Sequence, residues 1–162
     1  SPLLFGGKQE RGQRAGTENV PIILALLAAL EVREKQIHQS QHLLRGVWKE
    51  NFEKWLTAHV PGSTVVGTNV PRLWNTTSAL MPEGGQLRWV TRLDKAGFAV
   101  STGSACTTGK EEPSHVLSAM GYKPAQVAHV LRFSGGWETH DADWEKLAKG
   151  IEKVFAEVHS AR

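Results

Sequence analysis

The sequence contains one cysteine, Cys106, among its 162 residues. A single thiol cannot form a disulfide within the chain, which excludes a fold held together by disulfides and favours a reducing compartment. The sequence also lacks a cationic and apolar leader with a small-residue cleavage site, and it begins at Ser1 without an initiator Met. We therefore expect a cytoplasmic protein with a free thiol, and a chain that is a piece of a longer one.

Long apolar runs and an excess of charge of one sign are absent as well. Lys and Arg total 19 against 16 Asp and Glu, which gives a net charge of +3, and the basic residues are dispersed along the chain. A nucleic-acid-binding surface normally needs a basic cluster, and a membrane span needs about 20 consecutive apolar residues. With 40% hydrophobic and 22% charged residues, the composition is that of a soluble globular protein with neither nucleic acid nor membrane as a partner.

Hydrophobic periodicity predicts two long helices in the first part of the chain. Asn19 and its polar neighbours are N-cap candidates and Pro21 suits a first turn, so a helix is expected from Val20. Residues 20–30 are apolar nearly all round, which indicates burial on more than one side, as at a domain junction or subunit interface. A second amphipathic stretch is marked by apolar residues at helical spacing: Leu44, Trp48, Phe52 and Trp55.

The rest of the chain alternates between strands and helices. Strands are predicted at 64–66, 76–80, 98–101 and 127–134. Helices are predicted at 86–96, from Pro113 to Gly121, and after a Thr139 cap. The last of them is expected to bury Trp144, Leu147, Ile151, Val154, Phe155 and Val158. One sheet covered by helices is an α/β organisation with α+β character.

The most informative segment is the loop 102–112, which is rich in Gly, Ser and Thr and contains Cys106. Small neighbours keep a thiol accessible, and Lys110 together with backbone N–H groups favours the thiolate. A mobile nucleophile has this setting. The alternative is a buried structural cysteine.

Other motifs in this loop are excluded by single residues. Glu111 follows Gly109 and Lys110 where a Walker-type phosphate loop needs Ser or Thr. Glu112 stands where a phosphatase-type site needs an Arg six residues after Cys106. The His, Cys and Asp residues show no metal-ligand spacing, so no metal site is predicted.

Arg132 lies within an apolar predicted strand, between Leu131 and Phe133. A guanidinium is costly there unless an anion meets it, so recognition of a carboxylate is one interpretation. The alternatives are an edge-strand arginine that reaches solvent and a structural salt bridge.

Thr17 follows a Gly-rich basic stretch, 6–16, and precedes the first predicted helix. Backbone N–H groups, the Thr17 hydroxyl and the positive end of the helix could together hold a phosphate. The alternative is that the glycines only make turns.

Four blocks of residues, 5–19, 101–109, 112–117 and 131–134, together resemble the cysteine desulfurases of the class V aminotransferase family. The blocks occur in the family's order and span nearly the whole chain, and 72–75 before a predicted strand also fits. The resemblance is to the branch that supplies sulfur for iron–sulfur cluster assembly and nitrogenase maturation.

This resemblance implies the carboxy-terminal part of a fold-type I transferase that depends on pyridoxal 5'-phosphate. Residues 1–17 would be the cofactor-phosphate loop at the end of the large domain, and 18–162 the linking helix and the small domain with a mixed sheet covered by helices. In the family the Schiff-base lysine precedes the segment that begins here at residue 3, so these 162 residues alone are expected to lack turnover.

The resemblance also implies roles for individual residues. Cys106 matches the nucleophile that forms a persulfide, with Ser104 as a supporting residue, and Arg132 matches the arginine that binds the substrate α-carboxylate. Thr17 matches the threonine that reaches the cofactor phosphate of the other subunit of a homodimer. The implied reaction converts L-cysteine to L-alanine and passes the sulfur to an iron–sulfur scaffold or another acceptor protein.

Two departures from the family pattern are visible, and two other functions stay open. Lys8 stands where the family usually has Gly or His, and 134–136 read Ser-Gly-Gly where Ser-Leu-Gly is more common. One alternative is a non-catalytic module that binds a partner or dimerises. The other is a lyase acting on selenocysteine or cystine, against which the length and content of the loop 102–112 argue.

Overall fold

The computed structural model describes residues 2, 4–82, 86–102 and 114–160. The chain divides into two compact units, Ser1–Gln41 and His42–Arg162. The division follows the polar end of the first helix. The assignment of 1–17 and 18–162 to different domains of a larger enzyme stays a prediction.

The first unit consists of a loop with a short 3-10 turn, Glu10–Gly12, and helix α1, Val20–His38. The predicted start of α1 is confirmed: the Asn19 side chain accepts a hydrogen bond from the N–H of Ile22 at 3.2 Å, and a proline occupies the first turn.

None of the residues of α1 is buried in the structure of this chain, so burial of its early turns at a domain junction or subunit interface stays a prediction. The first unit offers no second α-helix among its described residues to cover an apolar surface that runs all the way round. The large apolar residues that α1 exposes are Val20, Ile22, Ile23, Leu24, Leu26, Leu27, Leu30, Val32 and Ile37.

The second unit is one antiparallel sheet with helices on both faces. Helix α2, Gln41–His59, begins at the boundary between the units. It is followed by β1 (Thr64–Val65), β2 (Thr76–Leu80), α3 (Gln86–Lys95), β3 (Ser101–Thr102), α4 (His115–Ala119), α5 (Pro124–Val127), β4 (Val130–Ser134) and α6 (Asp141–Ser160). The sheet order is β1-β2-β4-β3, and every pairing between these four strands is antiparallel. The expected mixed sheet is therefore wrong for the strands that the structure describes. The second strand has the predicted bounds.

Three strand predictions need correction. The strand expected at 64–66 ends at Val65. The strand expected at 98–101 is replaced by β3, which shares only Ser101 with it, since the N–H of Phe98 donates to the carbonyl of Leu93 at 2.8 Å just after α3 ends. The strand expected at 127–134 begins at Val130, because Pro124 opens the short helix α5 at the position that suits a proline.

The last helix also begins later than predicted. Thr139 does not cap α6, because its hydroxyl accepts the N–H of Gly136 at 2.8 Å. The carboxylate of Asp143 instead accepts the N–H of His140 at 3.0 Å, and α6 starts at Asp141. The predicted buried face of α6 is confirmed except for Phe155, which is half-buried.

The main core lies between one face of the sheet and helices α2, α3 and α6. The sheet contributes Thr77, Ala79, Leu131 and Phe133, and the helices contribute residues that include Phe52, Leu56, Trp89, Leu93, Trp144 and Ile151. In α2 the prediction for Leu44 is wrong, because this side chain is 55% exposed and charged residues occupy part of the buried face.

Those charged residues form a network around the carboxylate of Glu53. Arg72 donates from both terminal nitrogens to the two oxygens of Glu53 at 2.6 and 2.7 Å, and the hydroxyl of Thr77 donates to one of them at 2.5 Å. Lys49 lies 3.7 Å from the carboxylate and donates to the carbonyl of Leu73 at 3.1 Å. The network therefore connects α2 to the segment before β2 and to β2 itself.

The Glu53 carboxylate stays ionised in its buried position. Burial by itself would raise the pKa of Glu53, but the hydrogen bonds from Arg72 and Thr77 and the nearby charges of Lys49 and Arg72 outweigh it, so the pKa lies below its ordinary value. The same pair raises the pKa of Arg72. A buried charge with these partners is stable only while all of them are present.

We expect Glu53→Gln to lower the free energy of unfolding of the purified protein by about 3 kcal/mol, because it leaves the buried ammonium of Lys49 without its charge partner. Urea denaturation would measure the change. Glu157→Gln is the matched control, since its ion pair with Arg92 is solvent-exposed and should contribute at most about 1 kcal/mol. Equal effects of the two substitutions would contradict a special role for Glu53.

Comparison of the wild type with Glu53→Gln also tests how this contribution to stability depends on pH. The folded pKa of Glu53 is lowered, so its ionised form stabilises the protein above the pKa of the unfolded chain, about 4.3, and this contribution is lost as the pH falls further. The difference between wild type and Glu53→Gln should therefore be largest near neutral pH and narrow below about pH 4.3. A difference that stays constant down to pH 3 would contradict this linkage.

Candidate functional site

Arg132 lies on a central strand of the sheet, not on an edge. Strand β4 pairs with β2 on one side and with β3 on the other. Arg132 is directly opposite Ser78 of β2 and Ser101 of β3. The edge-strand alternative for Arg132 is therefore wrong.

The two faces of β4 differ in character. Leu131 and Phe133 are buried in the main core, and side chains alternate along a strand, so Arg132 belongs to the opposite face. Residues directly opposite each other in antiparallel strands share a face. Ser78 and Ser101 therefore share this face with Arg132, and all three residues are half-buried.

Part of this second face is covered by an apolar cluster. Leu80 and Val130, which are paired with each other, belong to it together with Leu117 of α4 and Val127 of α5. Further along the same face, the row that contains Arg132 carries only short serine side chains beside the arginine. The guanidinium thus stands next to a covered apolar region, among small polar neighbours.

Within the part of the chain that the structure describes, the Arg132 guanidinium makes no ion pair and no hydrogen bond. The contrast is Arg72, which is bidentate on Glu53. A structural salt bridge for Arg132 is thus not found among the described residues. A half-buried guanidinium without an internal anion is suited to a carboxylate or phosphate ligand, which it can bind through two parallel hydrogen bonds.

The other predicted residues of this site lie outside the described part of the structure. Cys106 and Ser104 fall in the segment 103–113, between β3 and α4. In the sequence Cys106 follows Ser101 by five residues. Their predicted roles stay predictions.

In the first unit, Thr17 is exposed two residues before the N-cap of α1. Gly16 before it has a φ of +97°, a left-handed conformation that favours glycine. Arg14 donates to the carbonyls of Ala15 and Gly16 at 3.3 and 3.2 Å and fixes the loop at this point. The Thr17 hydroxyl itself has no hydrogen bond to another described residue.

The positive end of α1 offers fewer free donors than the sequence indicated. Pro21 has no N–H, the N–H of Val20 donates to the carbonyl of Glu18 at 3.0 Å, and that of Ile22 is taken by Asn19. Binding of an anion at this position would therefore depend mainly on donors from Thr17 and the loop before it. The dipole of α1 would contribute less.

Comparison with known proteins identifies the family of this chain. The family model described as aminotransferase class-V matches residues 3–147. The chain belongs to the class-V aminotransferase family. Among curated relatives, it is 39% identical over 160 residues to a cysteine desulfurase of Gluconacetobacter diazotrophicus, covering 97% of this chain and 39% of the relative. It is 42% identical over 149 residues to cysteine desulfurase 2 of Trichormus variabilis, covering 90% and 36%.

Solved structures give the same result for the fold of this class-V aminotransferase chain. An X-ray structure of a NifS-like protein from Rickettsia africae superposes with a TM-score of 0.80 at 29% identity, over 96% of this chain and 40% of that one. A second NifS-like protein gives a TM-score of 0.79 at 26% identity, over 96% and 39%. The predicted fold class is therefore confirmed, and the chain spans about 40% of the length of the proteins that it matches.

The loop of the first unit fits the cofactor that the family implies, pyridoxal 5'-phosphate. Its phosphate needs hydroxyl and N–H donors that are not already used inside the protein. Thr17 offers an exposed hydroxyl, and neither its N–H nor that of Gly16 is bonded to another described residue. These are donors that a phosphate could take up without breaking an existing hydrogen bond.

Sequence reasoning assigned no role to the two serines that flank Arg132. Ser78 and Ser101 are 23 positions apart in the sequence, and only the pairing of β2 and β3 with β4 brings them to one row. The alternation within β2 was a usable signal for which face Ser78 occupies, but the register was not.

If Arg132 serves a ligand, its removal should cost little stability. We expect Arg132→Met to change the free energy of unfolding by less than about 0.5 kcal/mol, since no internal partner among the described residues loses a bond. Arg72→Met is the matched control and should cost about 3 kcal/mol, because it strands the buried Glu53 carboxylate. Urea denaturation of both variants would measure this, and similar losses for the two arginines would make Arg132 a structural residue.

Proposed function

We propose that the protein to which this chain belongs is a cysteine desulfurase of the cytoplasm. It would convert L-cysteine to L-alanine and transfer the sulfur, as a persulfide on Cys106, to an acceptor protein such as an iron–sulfur scaffold. The observation that carries the proposal is Arg132, a half-buried guanidinium on a central strand without an anionic partner among the described residues, in a chain whose relatives are named cysteine desulfurases.

Arg132 would bind the α-carboxylate of L-cysteine. A bidentate pair between guanidinium and carboxylate fixes both the position and the plane of the substrate's carboxyl group. The backbone of Arg132 is bonded into the sheet on both sides, so the bound substrate would be held at a defined place.

Thr17 would hold the phosphate of pyridoxal 5'-phosphate, which in a homodimer would be that of the other subunit. When bound, this cofactor supplies an electron sink for bond breaking at the substrate. The protein's contribution here is a hydroxyl at the end of a loop that Arg14 holds through Ala15 and Gly16. We expect 1–17 to belong to the large domain and 18–162 to form the linking helix and small domain.

Cys106 would be the sulfur-accepting nucleophile. Its thiolate attacks the sulfur of L-cysteine, an S–S bond forms, and the substrate's C–S bond breaks with its electron pair left on the carbon fragment. That fragment gains a proton and becomes L-alanine, so no external oxidant or reductant is required. Ser104, two residues earlier, would support the thiol, and Lys110 adds positive charge nearby in the sequence.

Intact-mass measurement of the full-length enzyme with pyridoxal 5'-phosphate and L-cysteine tests the proposal. We expect a gain of one sulfur atom that maps to Cys106, with L-alanine formed in the same tube. Cys106→Ser should abolish the gain, because a hydroxyl does not accept the sulfur. L-alanine without the adduct would contradict the role of Cys106, and the absence of both products would contradict a desulfurase.

Arg132→Met in the full-length enzyme tests the carboxylate role separately. We expect KM for L-cysteine to rise on the order of 100-fold with a smaller change in kcat, because charge-assisted hydrogen bonds to the substrate are lost. Arg88→Met, at an exposed position of α3, is the control and should leave both constants unchanged. An unchanged KM in Arg132→Met would overturn the assignment of the carboxylate to this residue.

A further inference from the structure

We propose that Ser78 and Ser101 bind the substrate's carboxylate together with Arg132. The inference rests on the proposed function, because it assumes that the ligand of Arg132 is the α-carboxylate of L-cysteine. It adds two hydroxyl donors, one from each neighbouring strand, to the single guanidinium.

The register of the sheet places the three residues in one row. Ser78 and Ser101 are each the direct partner of Arg132, on β2 and β3 respectively. Directly opposed Cβ atoms in antiparallel strands are about 4.5–5.5 Å apart. Each serine hydroxyl therefore flanks the side chain of Arg132 on the face that the main core does not use.

The hydroxyls of these two serines are not used by the fold that the structure describes. Ser63 and Thr77, which are buried, bond to the carbonyl of Leu56 at 3.1 Å and to Glu53 at 2.5 Å. Ser78 and Ser101 are half-buried, yet neither hydroxyl makes a hydrogen bond to another described residue. A partly buried hydroxyl that has no hydrogen bond within the protein is available to donate one to a bound ligand.

The stoichiometry of donors and acceptors agrees with this arrangement. A carboxylate has two oxygens with about four acceptor sites, and a bidentate guanidinium uses two of them. Two more donors can therefore be accommodated. Serine is also short enough to leave the guanidinium uncovered from both sides.

A matched series in the full-length enzyme isolates the hydroxyls. Threonine and valine have nearly the same shape, both suit a strand, and they differ in the hydroxyl alone. We expect Ser78→Thr and Ser101→Thr to keep KM for L-cysteine near that of the wild type. The corresponding Ser→Val variants should raise KM by about 5- to 20-fold at similar kcat, because a hydrogen bond to a charged group is lost.

Two further measurements keep this test interpretable. The melting temperatures of the Thr and Val variants at each position should agree. If a Val variant does not fold, the alanine variant at the same position, Ser78→Ala or Ser101→Ala, replaces it with the same expected rise in KM. Ser118→Ala, at an exposed position of α4, is the control and should change nothing.

The outcomes separate this inference from the proposed function. Equal KM values for Thr and Val variants, with Arg132→Met still impaired, would overturn the role of the serines and leave that of Arg132 intact. Unchanged KM in Arg132→Met would overturn both. A rise in KM at the valines, on top of an impaired Arg132→Met, supports the three-residue site.

Discussion

The buried carboxylate of Glu53 is the interaction on which the geometry of the second unit depends. It connects helix α2 to Arg72 before β2 and to Thr77 within β2. A charge in this position would be unfavourable alone, and its cost is offset only by the complete set of donors around it. Because the donors come from separate segments of the chain, the network fixes β2 relative to the helix layer.

Fixing β2 also fixes the face that carries the candidate site. Thr77 is the direct partner of Phe133, and the neighbouring pair is Ser78 and Arg132. Side chains alternate along each strand, so Thr77 and Phe133 point into the core, and Ser78 and Arg132 belong to the candidate ligand face. At the start of β2, Asn75 and Gly135 bond to each other in both directions, at 3.0 and 2.8 Å, and hold the end of β4. The core and the site are two faces of one ladder.

The elements that could be predicted from sequence are those with strong local signals. The bounds of β2 and the buried face of α6 follow from alternation and helical spacing, and Asn19 with Pro21 predicted the start of α1. The errors fall where single hydrogen bonds decide, as at Thr139. Others fall where charged residues are buried, because a Lys and a Glu four positions apart on a helix normally indicate a solvated face.

The site was predictable only in part, for a different physical reason. Arg132 was visible because a charged residue in an apolar strand requires an explanation. Its neighbours were not, since strand order and register depend on pairing between distant segments, and a shift by one residue would have moved both serines to the other face. Cys106 and Thr17 were visible from the composition of their loops, and the family resemblance supplied their specific roles.

The central position of β4 has a consequence for the thermodynamics of ligand binding. The backbone of Arg132 is ordered by two neighbouring strands before any ligand arrives, so association need not order a loop. What remains to be immobilised is the arginine side chain, whose rotamer entropy amounts to about 2 kcal/mol at most. Binding a carboxylate at this position would then cost the ligand its translational and rotational freedom but require little further ordering of the protein.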